Sequence, residues 1–170
     1  MAVRDILIWP DAQLSQVCDP VLMGEDLRGL IGDLFETMYA AKARGLAACQ
    51  IGVMKRVFVM DVTWKAGPKN PLVMINPQIL DQSAMMQTMT EACLSIPGIQ
   101  IDIERPEEIS VAWTDEKGHL RDADFSGFGA VCVQHEIDHL DGIVYFDRAS
   151  HDARQEAEAD YAAGRLGDGA

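Results

Sequence analysis

The sequence predicts an α+β fold in a single domain with a mostly antiparallel sheet, and three observations carry that reading. The chain has 170 residues, of which 48% are apolar and 24% charged, the size and composition of one ordinary globular domain with a full core. Two segments have the apolar spacing of helices, and the stretch between them reads as short extended runs divided by turns. Strands grouped between helices, rather than alternating strictly with them, favour α+β over a wound parallel sheet.

In residues 25–42, apolar side chains recur at Leu27, Leu30, Ile31, Leu34, Phe35 and Met38, the stripe of an amphipathic helix, with acidic residues expected in its first turn. A small-residue loop is expected over 45–52. Residues 56–62 are β-branched and aromatic and predict a strand; Pro68 and Pro71 then mark a loop before a second strand over 72–75. Short strands are expected over 85–90, 100–103, 109–113 and 119–124, divided at Pro97 and Gly98, at Arg105 and Pro106, and by a turn over 115–118. A second helix is expected over 128–141, where Val131, His135, Ile137 and Leu140 are spaced by two to four residues and Gly142 stands where a left-handed terminating residue belongs. Residues 143–146 are expected to return as a strand, 150–163 to form an Ala- and Glu-rich helix, and 164–170 to fray. Met85, Met86 and Met89 read as adaptable core packing.

Fourteen Lys and Arg stand against 27 Asp and Glu, a net charge of −13. That field repels phosphate backbones, so nucleic acid is excluded as a partner class. The first ten residues lack the apolar core and cleavage site of a secretory signal, and no run of 18 apolar residues occurs, so the expectation is a cytoplasmic protein without a membrane partner, monomeric or weakly homo-oligomeric. Cys18, Cys49, Cys93 and Cys132 form no CxxC pair; in a reducing compartment they are core residues, ligands or nucleophiles rather than a disulfide framework. A core of this size needs no structural metal, so a metal here would be functional.

The chemistry centres on His135-Glu136-Ile137-Asp138-His139. On a helix, imidazoles at i and i+4 share one face and can hold one metal ion, with the intervening glutamate beside it; the bland alternative is a surface helix with two solvated histidines. A catalytic metal usually takes a third protein ligand. The metzincin pattern fails, because Tyr145 stands where its third histidine belongs. A thermolysin-like carboxylate from Glu156 or Glu158 remains open, as does a thiolate from Cys93, which sits in a sparsely charged stretch before Pro97 and Gly98. Glu91 reads as a buried organiser, held by a nearby arginine or by backbone donors, rather than as a ligand.

Three segments occur in a specific order: Gly45-Leu46-Ala47-Ala48-x-Gln50, then Glu91-x-Cys93-Leu94-Ser95, then Gln134-His135-Glu136-x-Asp138-His139-Leu140-x-Gly142. In these motifs, and in length, the chain resembles the peptide deformylases over roughly residues 1–150. The resemblance implies a sheet of short antiparallel or mixed strands around a central metal-binding helix, and removal of the N-formyl group from formyl-methionyl peptides, releasing formate, during protein maturation. It implies Cys93, His135 and His139 as ligands of one divalent ion, Fe²⁺ in the cell with Zn²⁺ or Ni²⁺ as alternatives. Glu136 would carry the proton; the Gln50 side chain and the Leu94 N–H would stabilise the developing oxyanion. Gly45 would hold the substrate main chain, since a residue without Cβ admits close backbone approach. Cys132 could line the methionine pocket, although a small buried hydrophobe describes it as well; Cys18 and Cys49 read as structural.

The chain departs from the family pattern around the substrate groove. Ala43-Arg44-Gly45 stands where the family has Gly-apolar-Gly, and Ala92 where it has glycine. If Ala92 required a positive φ, its Cβ would cost about 1 kcal/mol or more. Arg44 puts a cation on an apolar wall, which suggests altered specificity toward peptides with a nearby carboxylate. Residues 147–170 carry six acidic and three basic residues, so ribosome docking through a basic tail is not expected. A weakened or redirected paralogue and a zincin peptidase stand as the alternatives to a deformylase.

Overall fold

The structure is a computed structural model describing residues 2–167. Helix α1 (Arg28–Ala40) precedes strand β1 (Gly45–Ala47), and a 3-10 turn (Ala48–Ile51) leads to β2 (Val57–Met60) and β3 (Leu72–Gln82). Strands β4 (Met86–Cys93) and β5 (Ile96–Pro106) form a hairpin, followed by β6 (Glu108–Thr114), β7 (Leu120–Ser126), α2 (Gly127–Leu140), a 3-10 turn (Tyr145–Arg148) and α3 (His151–Gly167). One sheet has the order β1-β2-β3-β6-β7 and the other is the β4-β5 pair; every pairing is antiparallel. The fold is α+β, as expected.

The four residues of β2 show how the layers assemble. All are buried, because helices cover both faces of the sheet there. Val57 and Val59 pack with Leu34 and Met38 of α1, the centre of the predicted stripe. Phe58 and Met60 face the other way, against Ala130, Val133, Ile137 and Leu140 of α2. The opposite side of α2 meets the β4–β5 hairpin through polar contacts, so α2 lies between the two sheets.

Several boundaries differ from expectation. Glu25 and Asp26 precede α1 rather than occupying its first turn; Asp26 accepts from the Arg28 N–H at 3.1 Å. The loop expected over 45–52 is strand β1 plus a 3-10 turn. Strand β3 continues past residue 75 through a bulge at Asn76 and Pro77, where Asn76 takes φ 50° and its side chain bonds Val21 N and O. Pro97 and Gly98 do not divide strands. The hairpin reverses at Leu94 and Ser95, and three extra β5 residues around Gly98 (φ 83°) form a bulge where proline has no N–H to contribute. Arg105 and Pro106 close β5 rather than breaking the sheet before it.

Residues 143–146 do not form a strand: Tyr145 and Phe146 are buried among Ile96, Ile103 and Tyr161, and Asp147 accepts from the Val144 N–H to make a turn. Met85 and Met86 are 67% and 45% exposed, because this end of the hairpin has no layer over it, so they are not core packing. Helix α3 runs past Gly164 to Gly167, and residues 168–170 of the expected frayed tail lie outside the described residues.

Candidate active site

Cys93, the last residue of β4, faces His135 and His139 of α2, and the potential ligand atoms of the three lie within 4.8 Å of one another. Cys93 Sγ is 3.2 Å from His139 Nε2. Burial opposes a thiolate at Cys93, but the facing His139 and His135 outweigh it and hold its pKa well below the ordinary thiol value. A thiolate and two imidazoles are the donors that suit a transition metal. Glu156 and Glu158 do not join them: both lie on α3, and Glu158 accepts from Arg154 at 2.7 Å.

His135 is oriented from behind. Its Nδ1 is 2.7 Å from Glu91 Oε2; an ionised carboxylate only accepts, so Nδ1 carries the proton and Nε2 is left for a metal. Glu91 is buried, and burial alone would favour its neutral form, yet His135 and Arg105 hold its carboxyl at about 2. Arg105 bridges the layers, donating to Glu91 at 2.5 and 3.1 Å and to Asp138 Oδ2 at 2.8 Å. Arg148 donates to both Asp138 oxygens. This chain, buried at Glu91, Arg105 and Asp138 and reaching the surface at Arg148, fixes α2 against the hairpin. Glu91 thus organises the site through an arginine, as the sequence suggests, whereas Arg105 itself reads in the sequence as a strand break and is part of β5. Its signal was the continued alternation Ile101, Ile103, Arg105, all inward and buried.

Glu136 is also buried, and its Oε2 has no hydrogen-bond partner among the described residues. Burial pushes its carboxyl up to about 7 against the opposing pull of His135 and His139. An unpartnered carboxylate beside a thiolate and two imidazoles fits a divalent ion, which would supply the missing charge. Gly45 makes room for it: a Cβ there would overlap Glu136 Oε1 and come within 3.1 Å of Cys132 Sγ. Gln50 serves two sides at once. Its Oε1 accepts from the Ala47 N–H at 2.9 Å and so caps the 3-10 turn, while Nε2 points at Ser95 Oγ (3.1 Å) and Cys93 Sγ (3.5 Å).

The N-terminal segment, not assigned any role from sequence, ties both site loops together through Leu7 N to Gln50 O and Trp9 N to Ser95 O, each 2.8 Å. Leu94, Arg44, Ala92 and Cys132 line the same cavity, of about 440 Å³. Burial pushes the Cys132 thiol well up, so it contributes as a neutral wall. Ala92 does not take a positive φ; the strain considered for it is absent, because it lies in the extended ladder of β4 opposite Gln100.

The polypeptide deformylase model matches residues 3–155. The chain belongs to that family. It is 48% identical to the peptide deformylase of Alkalilimnicola ehrlichii over 151 residues, covering 88% of this chain and 84% of that protein. It is 42% identical to the peptide deformylase of Phenylobacterium zucineum over 92% of this chain and 94% of that one. Among solved structures, a peptide deformylase from Legionella pneumophila superposes with TM-score 0.90 at 35% identity over 99% of both chains. The Ehrlichia chaffeensis peptide deformylase in complex with actinonin gives TM-score 0.87 at 38% identity, covering 94% of this chain and 96% of that one. The chain is therefore a deformylase-type hydrolase, and its Cys-His-His cluster is suited to a single metal ion.

Proposed function

We propose that the chain releases formate from N-formyl-methionyl peptides, with Cys93, His135 and His139 holding one divalent ion and Glu136 moving the proton. The observation that carries this reading is the buried, unpartnered Glu136 carboxylate beside that cluster. When bound, the ion supplies Lewis acidity toward the formyl oxygen and the attacking water; oxidation-prone Fe²⁺ is the proposed cellular metal, with Zn²⁺ and Ni²⁺ compatible with the same donors.

Glu136 takes the proton of the attacking water and returns it to the departing amine. As water adds to the formyl carbon, charge builds on the carbonyl oxygen, and the Gln50 Nε2 and Leu94 N–H groups are the proposed donors to it. The main chain of Gly45 holds the peptide. Arg44 O accepts from Asp61 N at 2.8 Å across the β1–β2 pair, so by the alternation of an antiparallel ladder the Gly45 amide groups face the free edge of β1. An extended peptide pairs with such an edge. Cys132 forms part of the methionine pocket wall.

No helix among the described residues is long and apolar enough to cross a membrane, and a cytoplasmic, monomeric or weakly associating enzyme without a basic ribosome-docking tail is the proposed context. The test is amine release from formyl-Met-Ala-Ser by protein prepared without oxygen and loaded with Fe²⁺ or Ni²⁺, beside the acetylated peptide. Turnover of the formyl peptide alone is expected; cleavage of internal peptide bonds instead would favour a peptidase.

A further inference from the structure

The cavity that contains Cys93, His135 and Glu136 is also lined by Lys42, Arg44 and Lys65. Three cations converge there in a chain of net charge −13, and none of them is paired with a carboxylate among the described residues. The acidic side chains of the same cavity are otherwise committed: Glu91 is tied to Arg105 and His135, and Glu136 lies at the metal cluster. Arg44 is held in place from both ends. Its carbonyl accepts from Asp61 N, and its guanidinium lies 5.2 Å from the Phe128 ring centre, leaving Nε buried without a hydrogen-bond partner. Lys65 follows Trp64, whose indole N–H donates to Ala43 O at 2.8 Å. Partial loss of hydration and the charges of Arg44 and Lys42 hold the largely exposed Lys65 ammonium below its ordinary pKa, so the three cations repel one another. An anion between them relieves that repulsion and supplies Arg44 with an acceptor.

We infer that the cavity selects formylated peptides that carry a carboxylate close behind the formyl-methionine, either an acidic side chain or the C-terminal carboxylate of a very short peptide. The inference rests on the deformylase reading and on the free edge of β1. A peptide paired there advances about 3.3 Å per residue, and Arg44 immediately precedes Gly45, so a carboxylate one or two residues along comes within reach of the cations. The Phe128 ring beneath the Arg44 guanidinium holds that cation at the cavity.

The experiment compares specificity constants of the metal-loaded protein for formyl-Met-Glu-Ser-amide, formyl-Met-Ala-Ser-amide and formyl-Met-Ala-Ser with a free C-terminus. At low salt, one or both carboxylate peptides are expected to exceed the neutral amide by about five- to tenfold, the two arms separating side chain from C-terminus. That ratio should shrink below about twofold in roughly 0.5 M salt and fall in Arg44→Leu and in Lys65→Gln, where exposed Lys65 leaves the fold intact. Because the readout is a ratio within each variant, general losses cancel. Equal constants for all three peptides would overturn the inference and leave the deformylase reading standing. If no peptide turns over, the deformylase reading is what fails, and calorimetric binding of Met-Glu-Ser-amide against Met-Ala-Ser-amide decides the inference: equal affinities overturn it, preference for the acidic peptide upholds it.

Discussion

At the scale of single residues, the site depends on groups whose roles differ from what their type suggests. Gly45 is small because Glu136 occupies the space its Cβ would need, as well as to admit a substrate main chain. Gly45→Ala should therefore displace the Glu136 carboxylate and lower kcat by about a hundredfold, the scale of losing general base positioning, with little change in thermal unfolding. Comparing kcat with Tm for this variant checks it. Glu91 and Arg105 never face the solvent, yet they set the orientation of His135. Glu91→Gln leaves the buried Arg105 with Asp138 as its remaining carboxylate and weakens the hold on His135, and metal affinity should fall about 10- to 100-fold, measured by competition with a chelator. Glu136, Cys93 and both histidines were legible from spacing and motif. Arg105 was not, because an arginine beside a proline reads as a turn until the burial of its strand neighbours is known.

At the scale of elements, the metal helix α2 ends where two requirements coincide on Gly142. It adopts φ 72°, with Gly142 N bonded to His139 O and Ile143 N to Asp138 O, the pattern of a Schellman terminus. An added Cβ would also meet the backbone of Ser15 and Gln16 at 2.9 Å. Gly142→Ala should cost about 2 kcal/mol or more, strain and overlap together, read as a shift in urea midpoint; a change under 0.5 kcal/mol would remove this account. Helix α2 and its terminator were readable because periodicity and glycine agree. Apart from β1, which reads as loop, the strands are readable in existence but not in extent, since Asn76-Pro77 and Pro97-Gly98 look like breaks and are bulges inside β3 and β5. Local sequence marks a kink; whether the ladder resumes beyond it depends on a partner strand distant in sequence. Residues 143–146 erred the other way, since an apolar run buried on all sides needs no strand partner.

At the scale of the whole molecule, acidic groups dominate the pH response. Asp61 is fully buried and accepts from Tyr39 Oη at 2.7 Å and from the backbone N–H groups of Thr63, Trp64 and Asn70. Burial raises its pKa, but these donors outweigh burial and the net direction is down. A carboxyl with a lowered folded pKa stabilises the protein above its unfolded value, near 4, and that contribution disappears as pH falls through the folded value. Stability should therefore decline below about pH 4, and less steeply in Asp61→Asn, as followed by urea unfolding across pH 3–6. The layers, the cavity and the cation cluster all converge on α2, so the central claim concerns the carboxylate it carries. The most direct measurement is formyl-peptide turnover by Glu136→Gln with bound metal quantified in the same sample. The account predicts one ion per chain and turnover reduced by about 10²- to 10⁴-fold; a variant that keeps both its metal and its turnover would contradict it.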